Sequence, residues 1–270
     1  MLKGKFSFVV KEDEVSIKIY KEVKDFLIYH NLKECNNKPD YIIVIGGDGT
    51  VLSAFRKYLD IVNDVKFITI HTGHLGFYTD YQVKNYKNIF EDILNRAPQV
   101  ESYPLLAVEA YCTQGNMLTK NYALNEITFN NSMGSTYVAE VYINDEHFEN
   151  FRGDGICIST PTGSTAYNKS LGGAVIHPKM DIFQVTEIAA LNNLVYRTLG
   201  NPVILSKDEV LTIKPKNQVN NNRLSIDQSY YSNESLSKIK ITLSKTKKIS
   251  FLRYNNVSFW KRVKRSFIGE

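Results

Sequence analysis

The chain has 270 residues, of which 43% are apolar and 23% are charged, and these proportions lie within the range of folded globular proteins. This length fits one large domain or two of ordinary size, and the lack of long Pro-rich or Ser-rich tracts argues against a disordered or fibrous protein. A net charge of +5 at pH 7 suits an anionic small molecule as well as a nucleic acid, so charge alone does not choose between these partners.

The cysteines and the N-terminal sequence predict where the protein works. Cys35, Cys112 and Cys157 are widely separated and show no CxxC spacing, which is typical of reduced thiols. The apolar stretch 6–10 is too short for a secretory signal, and no run approaches the roughly 18 apolar residues of a membrane span. We therefore expect a cytoplasmic protein.

The first hundred residues alternate the signals of strands and helices. The apolar runs at 41–45 and 67–70 show no alternation, which is typical of parallel strands covered on both faces. In the first predicted helix, apolar residues recur every three or four positions, so they should form one buried stripe: Val15, Ile19, Val23, Phe26 and Leu27. In chain order the predicted elements are a strand at 6–10, a helix at 15–29, a strand at 41–45, a helix after Gly49, a strand at 67–70 and a helix at 85–94.

The character of the chain changes near 98–104, where short segments of β type begin. Turn signals at 144–145 and 217–222 separate some of these segments. We therefore expect an α/β fold in which a domain of alternating strands and helices is followed by a mainly β domain. The predicted β segments are 136–143, 155–159, 202–205, 209–213, 223–226, 238–243 and 248–252.

The last segment, 259–268, mixes apolar and basic residues at helical spacing. A basic amphipathic helix suits a membrane surface or a nucleic acid. A terminal helix that packs its apolar stripe, including Trp260 and Phe267, on the body of the protein is the plainer interpretation. We adopt it, and expect neither a membrane nor a nucleic acid as a partner.

The most informative stretch is the GGDGT sequence at 46–50, between a buried strand and a helix. Glycines there allow close approach of the main chain to a ligand, and helix N-terminal amides favour phosphate oxygens. The spacings of a P-loop and of the GxGxxG dinucleotide fingerprint are both missing. Asp48 would repel phosphates in such a cradle unless it binds Mg²⁺ or accepts a substrate proton. The alternative is a helix N-terminal cap with no catalytic duty.

Further motifs follow this turn. The full set is GGDGT at 46–50, HTGHLGF at 71–77, NE at 125–126, RGDG at 152–155, STPTGSTAY at 159–167 and NKSLGG at 168–173. Over nearly the whole chain this set resembles that of NAD kinases of the bacterial, Gram-positive type. The resemblance implies transfer of a phosphoryl group to the 2′-hydroxyl of the adenosine ribose of NAD, which gives NADP. The donor would be ATP, another triphosphate or polyphosphate, with Mg²⁺ or another divalent metal.

The same resemblance assigns roles to single residues. Asp48 would accept the proton of the 2′-hydroxyl. Asn125 and Glu126 would contact the ribose hydroxyls and the adenine amine, whose hydrogen-bonding groups match an amide and a carboxylate. Arg152 would pair with a phosphate. The donor loop would be Gly46, Gly47, Gly49 and Thr50, and the other NAD-binding residues would be Gly49, Phe77, Asp154, Thr165, Ala166, Tyr167, Ser170 and Ala189, with Phe77 and Tyr167 against ring faces.

The resemblance also implies the architecture and the assembly. It predicts an α/β nucleotide-binding domain with the GGDGT turn at 1–100 and a β-rich, sandwich-like NAD-binding domain at 101–254. A C-terminal segment at 255–270 would pack back on the first domain. Because the family builds each NAD site from two subunits, we expect a homo-oligomer, and a tetramer rather than a dimer.

Four other interpretations were weighed against this one. The pair His71 and His74 lacks a third ligand at metal-binding spacing, so no metal site is expected there. Ser159 and Ser164 lack a GxSxG setting and a base, which argues against a covalent mechanism. A diacylglycerol or sphingosine kinase shares the GGDGT turn but leaves the later motifs unexplained. A non-catalytic NAD(P) sensor would not need Asp48. The stretch 226–229 lies where the family varies, so it receives no role.

Overall fold

The chain folds into two compact units, and the first is built from both ends of the chain. The first unit comprises Met1–Tyr103 and Lys247–Glu270, and the second comprises Pro104–Thr246. Residues 247–254, which we expected in the β-rich domain, therefore lie in the first unit. The computed structural model describes residues 3–73, 76–131, 134–216, 222–232, 236–255 and 257–269.

Alternating strands and helices build the first unit, as predicted. Strands and helices follow in the order β1 (Lys5–Val10), α1 (Glu14–Tyr29), β2 (Lys33–Glu34), β3 (Tyr41–Ile45), α2 (Asp48–Lys57), β4 (Lys66–His71), β5 (Tyr81–Gln82) and α3 (Asn88–Asn95). Strands β2, β1, β3 and β4 lie side by side and pair in parallel. The carboxyl ends of parallel strands meet at one edge of a sheet, and the GGDGT turn leaves β3 at that edge.

Helix α1 buries one stripe, although not with every residue predicted for it. Asp13 caps the helix by accepting a hydrogen bond from the amide of Ser16 at 2.8 Å. Ile19, Val23 and Leu27 are buried, as predicted. The prediction for Val15 was wrong, since its side chain is 46% exposed. A step of about 100° per residue puts the buried Ser16, rather than its neighbour, in line with the stripe.

The second unit is mainly β, also as predicted. Its elements are β6 (Gln99–Cys112), β7 (Met117–Ala123), β8 (Glu126–Asn131), β9 (Tyr137–Ile143), β10 (Glu146–Gly153), β11 (Gly155–Ser159), α4 (Tyr167–Ser170), β12 (Ile182–Ile188), β13 (Val203–Ser206), β14 (Leu211–Pro215), β15 (Asn222–Ile226), β16 (Ser229–Ser232) and β17 (Leu236–Arg253). One antiparallel sheet has the order β13-β12-β11-β8-β15-β16. Strands β10, β9, β14 and the first part of β17 follow one another in a second antiparallel arrangement. Side chains from both pack into one core, as in a sandwich.

Strand β17 replaces two strands that we predicted separately. The segments 238–243 and 248–252 belong to one strand of 18 residues, so the predicted break was wrong. Its first part pairs with β14 in the second unit, and Phe251 pairs with Phe67 of β4 in the first. Lys245 and Thr246 between the two segments are exposed, and a strand of an antiparallel sheet with one solvated face tolerates such polar side chains.

The last helix, α5 (Phe259–Phe267), has the predicted position and part of the predicted packing. Phe259 and Phe267 contact the ring of Phe77, but Trp260 is 57% exposed and Phe267 40% exposed. The prediction missed Arg262, which is the buried side chain of this helix because the first unit offers its guanidinium hydrogen-bond acceptors. Among the residues that the structure describes, no helix is long and apolar enough to cross a membrane.

Candidate functional site

The GGDGT turn joins β3 to α2 and sets the position of Asp48. Gly46 has φ +156°, and a Cβ atom there would collide with the side chain of Thr50. Gly47 occupies the N-cap position with no side-chain cap, so α2 begins at Asp48 itself. Asp48 is therefore not the helix cap, and the interpretation that gave it only this duty was wrong.

The carboxylate of Asp48 is held by another segment of the first unit. Its Oδ2 accepts a hydrogen bond from the amide of Phe77 at 2.8 Å, and its Oδ1 accepts one from the amide of Tyr78 at 3.1 Å. Gly76 packs so closely that a Cβ atom there would collide with this carboxylate. Two amide donors thus fix a half-buried carboxylate beside the start of α2. Each carboxylate oxygen has lone pairs left for a substrate.

The other residues around this turn have partners of their own. The ring of Phe77 stacks on Phe267 of α5, with centroids 5.5 Å apart. Nδ1 of the buried His71 accepts a hydrogen bond from the amide of Gly73 at 2.9 Å. His74, the second histidine of the metal interpretation, lies outside the described residues. Within the described ranges, no group of three or more His, Cys, Asp or Glu side chains is placed to hold a metal ion.

In the second unit, Asn125 and Glu126 stand at the start of β8, where Asp227 positions their backbone. The Asp227 carboxylate accepts hydrogen bonds from the amides of Leu124 (2.9 Å), Asn125 (2.8 Å) and Glu126 (3.2 Å). Asp227 itself has φ +50°, in a turn between β15 and β16. We had given the stretch 226–229 no role. Its sequence signal was an Asp in a short turn, a residue type that accepts backbone amides there.

Glu126 carries an acceptor without a partner. Its Oε2 is buried and has no hydrogen-bond partner within the part of the chain that the structure describes. Burial and the negative charge of Asp227 raise the pKa of Glu126 to about 8, while a hydrogen bond from the amide of Tyr167 opposes the rise. An unsatisfied buried carboxylate oxygen is costly, and a hydroxyl donor from a ligand would relieve that cost.

The raised pKa of Glu126 predicts how its neutral substitute behaves in the free protein. In the unfolded chain Glu126 ionises with the ordinary pKa of a glutamate, 4.5, so between there and about 8 the folded state holds a proton that the unfolded state releases. Stability is therefore lost as the pH rises through this window. We expect Glu126→Gln to be more stable than wild type at pH 9, by on the order of 2 to 4 kcal/mol, and to differ little at pH 4. Urea unfolding at both pH values measures this; equal differences at the two would contradict it.

The turn after β11 packs tightly beneath Asn125. The hydroxyl of Thr160 donates to the carbonyl of Leu124 at 2.6 Å, and the amide of Thr160 donates to the carbonyl of Asn125 at 2.9 Å. Gly163 lies so close that a Cβ atom would collide with the backbone of Asn125.

Ser164 is buried, donates to the carbonyl of Pro161 and accepts from the amide of Ile176. This hydroxyl therefore supports the turn. Thr165 is buried in the same turn, which continues into Ala166 and α4 with Tyr167 and Ser170.

Arg152, Asp154 and Ala189 form a second group at the opposite end of β11. The amide of Asp154 donates to the carbonyl of Ile188, directly before Ala189, which has φ +46°. The guanidinium of Arg152 lies over the ring of Tyr196, 4.2 Å from its centroid. The four residue steps of β11 separate this group from Asn125 and Glu126 by about 13 Å.

Tyr167 connects the two groups electrostatically. Its side chain is 44% exposed. Burial raises the pKa of its phenol, and the negative charges of Asp154 and Glu126, which belong to the two groups, raise it further. The second unit thus presents a strip along β11 that has a half-exposed ring in the middle and polar groups at both ends.

Both parts of the chain match models of one protein family. The ATP-NAD kinase N-terminal domain model matches residues 2–97, and the ATP-NAD kinase C-terminal domain model matches residues 124–253. An NAD kinase of Streptococcus mutans is 49% identical over 233 residues, covering 86% of this chain and 83% of that protein. An NAD kinase of Enterococcus faecalis is 42% identical over 266 residues, covering 98% and 99%.

Solved structures share the fold at lower identity. The chain resembles a yeast NADH kinase complexed with NADH with a TM-score of 0.80 at 20% identity, over 98% of this chain and 87% of the other. It resembles an NAD kinase from Archaeoglobus fulgidus in complex with ATP with a TM-score of 0.74 at 19% identity, over 99% and 98%. Given the match of both domain models and the identity to bacterial relatives over most of its length, the chain belongs to the ATP-NAD kinase family.

Proposed function

We propose that this protein transfers the terminal phosphoryl group of ATP to the 2′-hydroxyl of the adenosine ribose of NAD, with Asp48 as the group that accepts the hydroxyl proton. As a member of its family the protein is a kinase that phosphorylates NAD with ATP. The observation that supports the role of Asp48 is its carboxylate, which two amides hold beside the GGDGT turn although it does not cap the helix. A carboxylate placed in this way suits general-base catalysis.

In the proposed reaction the ribose oxygen attacks the terminal phosphorus of ATP while its proton passes to Asp48. The bond from that phosphorus to the bridging oxygen breaks, and ADP leaves. Gly46, Gly47, Gly49 and Thr50 would line the donor phosphates, because the first amides of α2 point out of the helix and its N-terminus favours anions. Mg²⁺ would enter with ATP and neutralise the phosphate oxygens.

The proposed recognition of adenosine rests on the strip along β11. Glu126 would accept hydrogen bonds from ribose hydroxyls through its unpartnered Oε2, and the amide side chain of Asn125 would serve the adenine amine. Phe77 and Tyr167 would lie against ring faces, and Arg152 would leave the ring of Tyr196 for a phosphate. The proposed contacts also include Gly49, Asp154, Thr165, Ala166, Ser170 and Ala189.

An assay of acceptors and donors tests the function. Purified protein with NAD, ATP and Mg²⁺ should form NADP, should be inhibited by NADP, and should leave diacylglycerol unchanged. Chelation of Mg²⁺ with EDTA should abolish turnover, and added Mg²⁺ should restore it. Other triphosphates and polyphosphate, tested in parallel, define the donor range. Binding of NAD without any turnover would instead identify a non-catalytic sensor, and equal turnover of a lipid acceptor would overturn the assignment.

We also propose that the protein works in the cytoplasm as a homotetramer. Cys112 and Cys157 are buried free thiols, which suits a reducing compartment. After Ala189 the chain exposes Leu194 (92%), Val195 (78%) and Leu199 (50%). Clustered exposed apolar side chains are typical of a protein interface.

Light scattering tests the assembly. Wild type should have four times the mass of one chain, and Leu194→Glu with Val195→Glu should dissociate it because buried, unpaired carboxylates are costly. The dissociated variant should also bind NAD more weakly if the Ala189 end of the strip needs a second subunit. Lys207→Glu, a single exposed charge change in the same unit, is the control. A fully active wild-type monomer would contradict the proposal.

A further inference from the structure

A group of four charges, three of them buried, lies in the first unit, apart from the residues assigned so far. Oδ1 of Asp80 accepts hydrogen bonds from Arg253 at 3.0 Å and from Arg262 at 2.8 Å. Glu101 accepts a further bond from Arg253 at 3.3 Å. The side chains of Asp80, Arg253 and Arg262 are only 1%, 6% and 7% exposed. Two cations and two carboxylates balance in charge, which is how such groups are tolerated in a core.

The two arginines also bind the backbone of the segment that holds Asp48. Arg253 donates to the carbonyl of Tyr78 at 2.7 Å. Arg262 donates to the carbonyl of Thr79, and at 3.5 Å to the carbonyl of Gly76. The Gly76 carbonyl that Arg262 holds belongs to the same peptide group as the Phe77 N–H, which donates to the Asp48 carboxylate, and the Thr79 carbonyl follows one residue after the Tyr78 N–H, which also donates to it. A planar guanidinium with several fixed donors is suited to locking such a turn.

The geometry points to Arg262 of α5 as a positioning residue that keeps the 76–80 segment in place, so that the amides of Phe77 and Tyr78 hold the carboxylate of Asp48 for catalysis. This inference rests on the proposed role of Asp48 as base. In this role Arg262 contacts neither the substrate nor the reacting atoms. The last helix thereby contributes to turnover through a side chain that the sequence pattern would place on the outer, basic face.

The environment of Arg262 supports a role in addition to packing. Burial and the neighbouring charge of Arg253 lower the pKa of Arg262. The charge and the hydrogen bond of Asp80 oppose this change, and so does the charge of Tyr103. An exposed basic residue at this position would avoid that cost. Lys264 and Lys261 of the same helix are exposed, so burial is particular to Arg262. A Cβ atom at Gly76 would collide with the Asp48 carboxylate, so this segment packs directly against it.

A cycle of substitutions tests the inference. Arg262→Met and Arg262→Lys are made in wild type and in the Asp48→Asn variant, with Lys264→Met as an exposed control on the same helix. Turnover and the KM for NAD are measured, with melting curves to select a temperature at which every variant is folded. Displacement of a catalytic group by about 1 Å costs on the order of 10²-fold in rate. We expect Arg262→Met to lower kcat by about 10²-fold and Arg262→Lys by about 10-fold, with KM within about threefold.

The decisive comparison is between the two backgrounds. In the Asp48→Asn variant the Arg262 substitutions should change the residual rate by less than about twofold, because residues that act through one another are not additive. An equal fold-loss in both backgrounds, or wild-type kcat in both folded Arg262 variants, would overturn the inference while the role of Asp48 stands. If Arg262→Met does not fold, Arg262→Lys gives the same comparison because it keeps the charge beside Asp80. A wild-type rate for Asp48→Asn itself would overturn the proposed function, and this inference with it.

Discussion

Replacing Asp48 by Asn should lower turnover by about 10²- to 10⁴-fold with both substrates saturating, equivalent to roughly 3 to 5 kcal/mol of barrier. Asn keeps the shape of the side chain but cannot accept the proton of the ribose hydroxyl. NAD affinity should stay within several-fold of wild type, because a negative charge near phosphates is removed and the adenosine contacts in the second unit are unchanged. Steady-state kinetics and calorimetric NAD titration measure the two effects separately.

The structure adds a stability effect to this prediction. The two carboxylate oxygens of Asp48 accept hydrogen bonds from the amides of Phe77 and Tyr78, and Asn has only one acceptor oxygen to offer them. One amide therefore loses its partner, and the variant should be less stable by about 1 to 3 kcal/mol. Turnover must be measured well below its melting temperature, where this loss does not reduce kcat. The base hypothesis is falsified if the folded, saturated variant turns over within about threefold of wild type, given the usual size of base catalysis.

Replacing Asp80 by Asn should reduce the free energy of unfolding by about 3 to 5 kcal/mol. Asp80 is the carboxylate shared by Arg253 and Arg262, and the three side chains are nearly inaccessible to water. Asn fits the space but removes the negative charge that both buried guanidinium groups share, and Glu101 pairs with Arg253 alone of the two. Urea unfolding with a fluorescence or circular dichroism readout measures the change.

Two further variants make the Asp80 prediction specific. Arg262→Met combined with Asp80→Asn should be less destabilised than the two single losses add up to, because the double variant leaves one buried cation, Arg253, beside Glu101. Asp208→Asn breaks the exposed ion pair with Lys245 and should leave the melting curve unchanged, since exposed pairs contribute little. Additive losses in the double variant would show that Asp80 and Arg262 do not depend on each other.

The sequence determined much of the fold because local patterns carried the information. Apolar runs without alternation predicted the parallel strands of the first unit, and β3 and β11 have the predicted bounds. Several strands escaped prediction, among them β10 and β12. Strand β10 is rich in residues of low β propensity, which pairing with β9 stabilises, whereas β12 contains strong β formers and was an omission. The motifs, through their resemblance to a family, identified the family before any geometry was known.

Only the tertiary structure decided which groups serve these motifs. Amides of the 76–80 segment hold Asp48, and the bond from Phe77 joins residues 29 positions apart. Asp227 holds the amides at the start of β8, and its bond to Asn125 joins residues 102 positions apart. The burial of Arg262 followed the same rule. Helical periodicity assigned the apolar residues of α5 to the inside. A guanidinium can also be buried where a carboxylate and carbonyl groups accept its hydrogen bonds. For Arg262 these acceptors, Thr79 and Asp80, come from a distant part of the chain. Sequence patterns reflect the preference of each residue for water, whereas long-range partners decide for which polar groups hydrogen bonds offset the cost of burial.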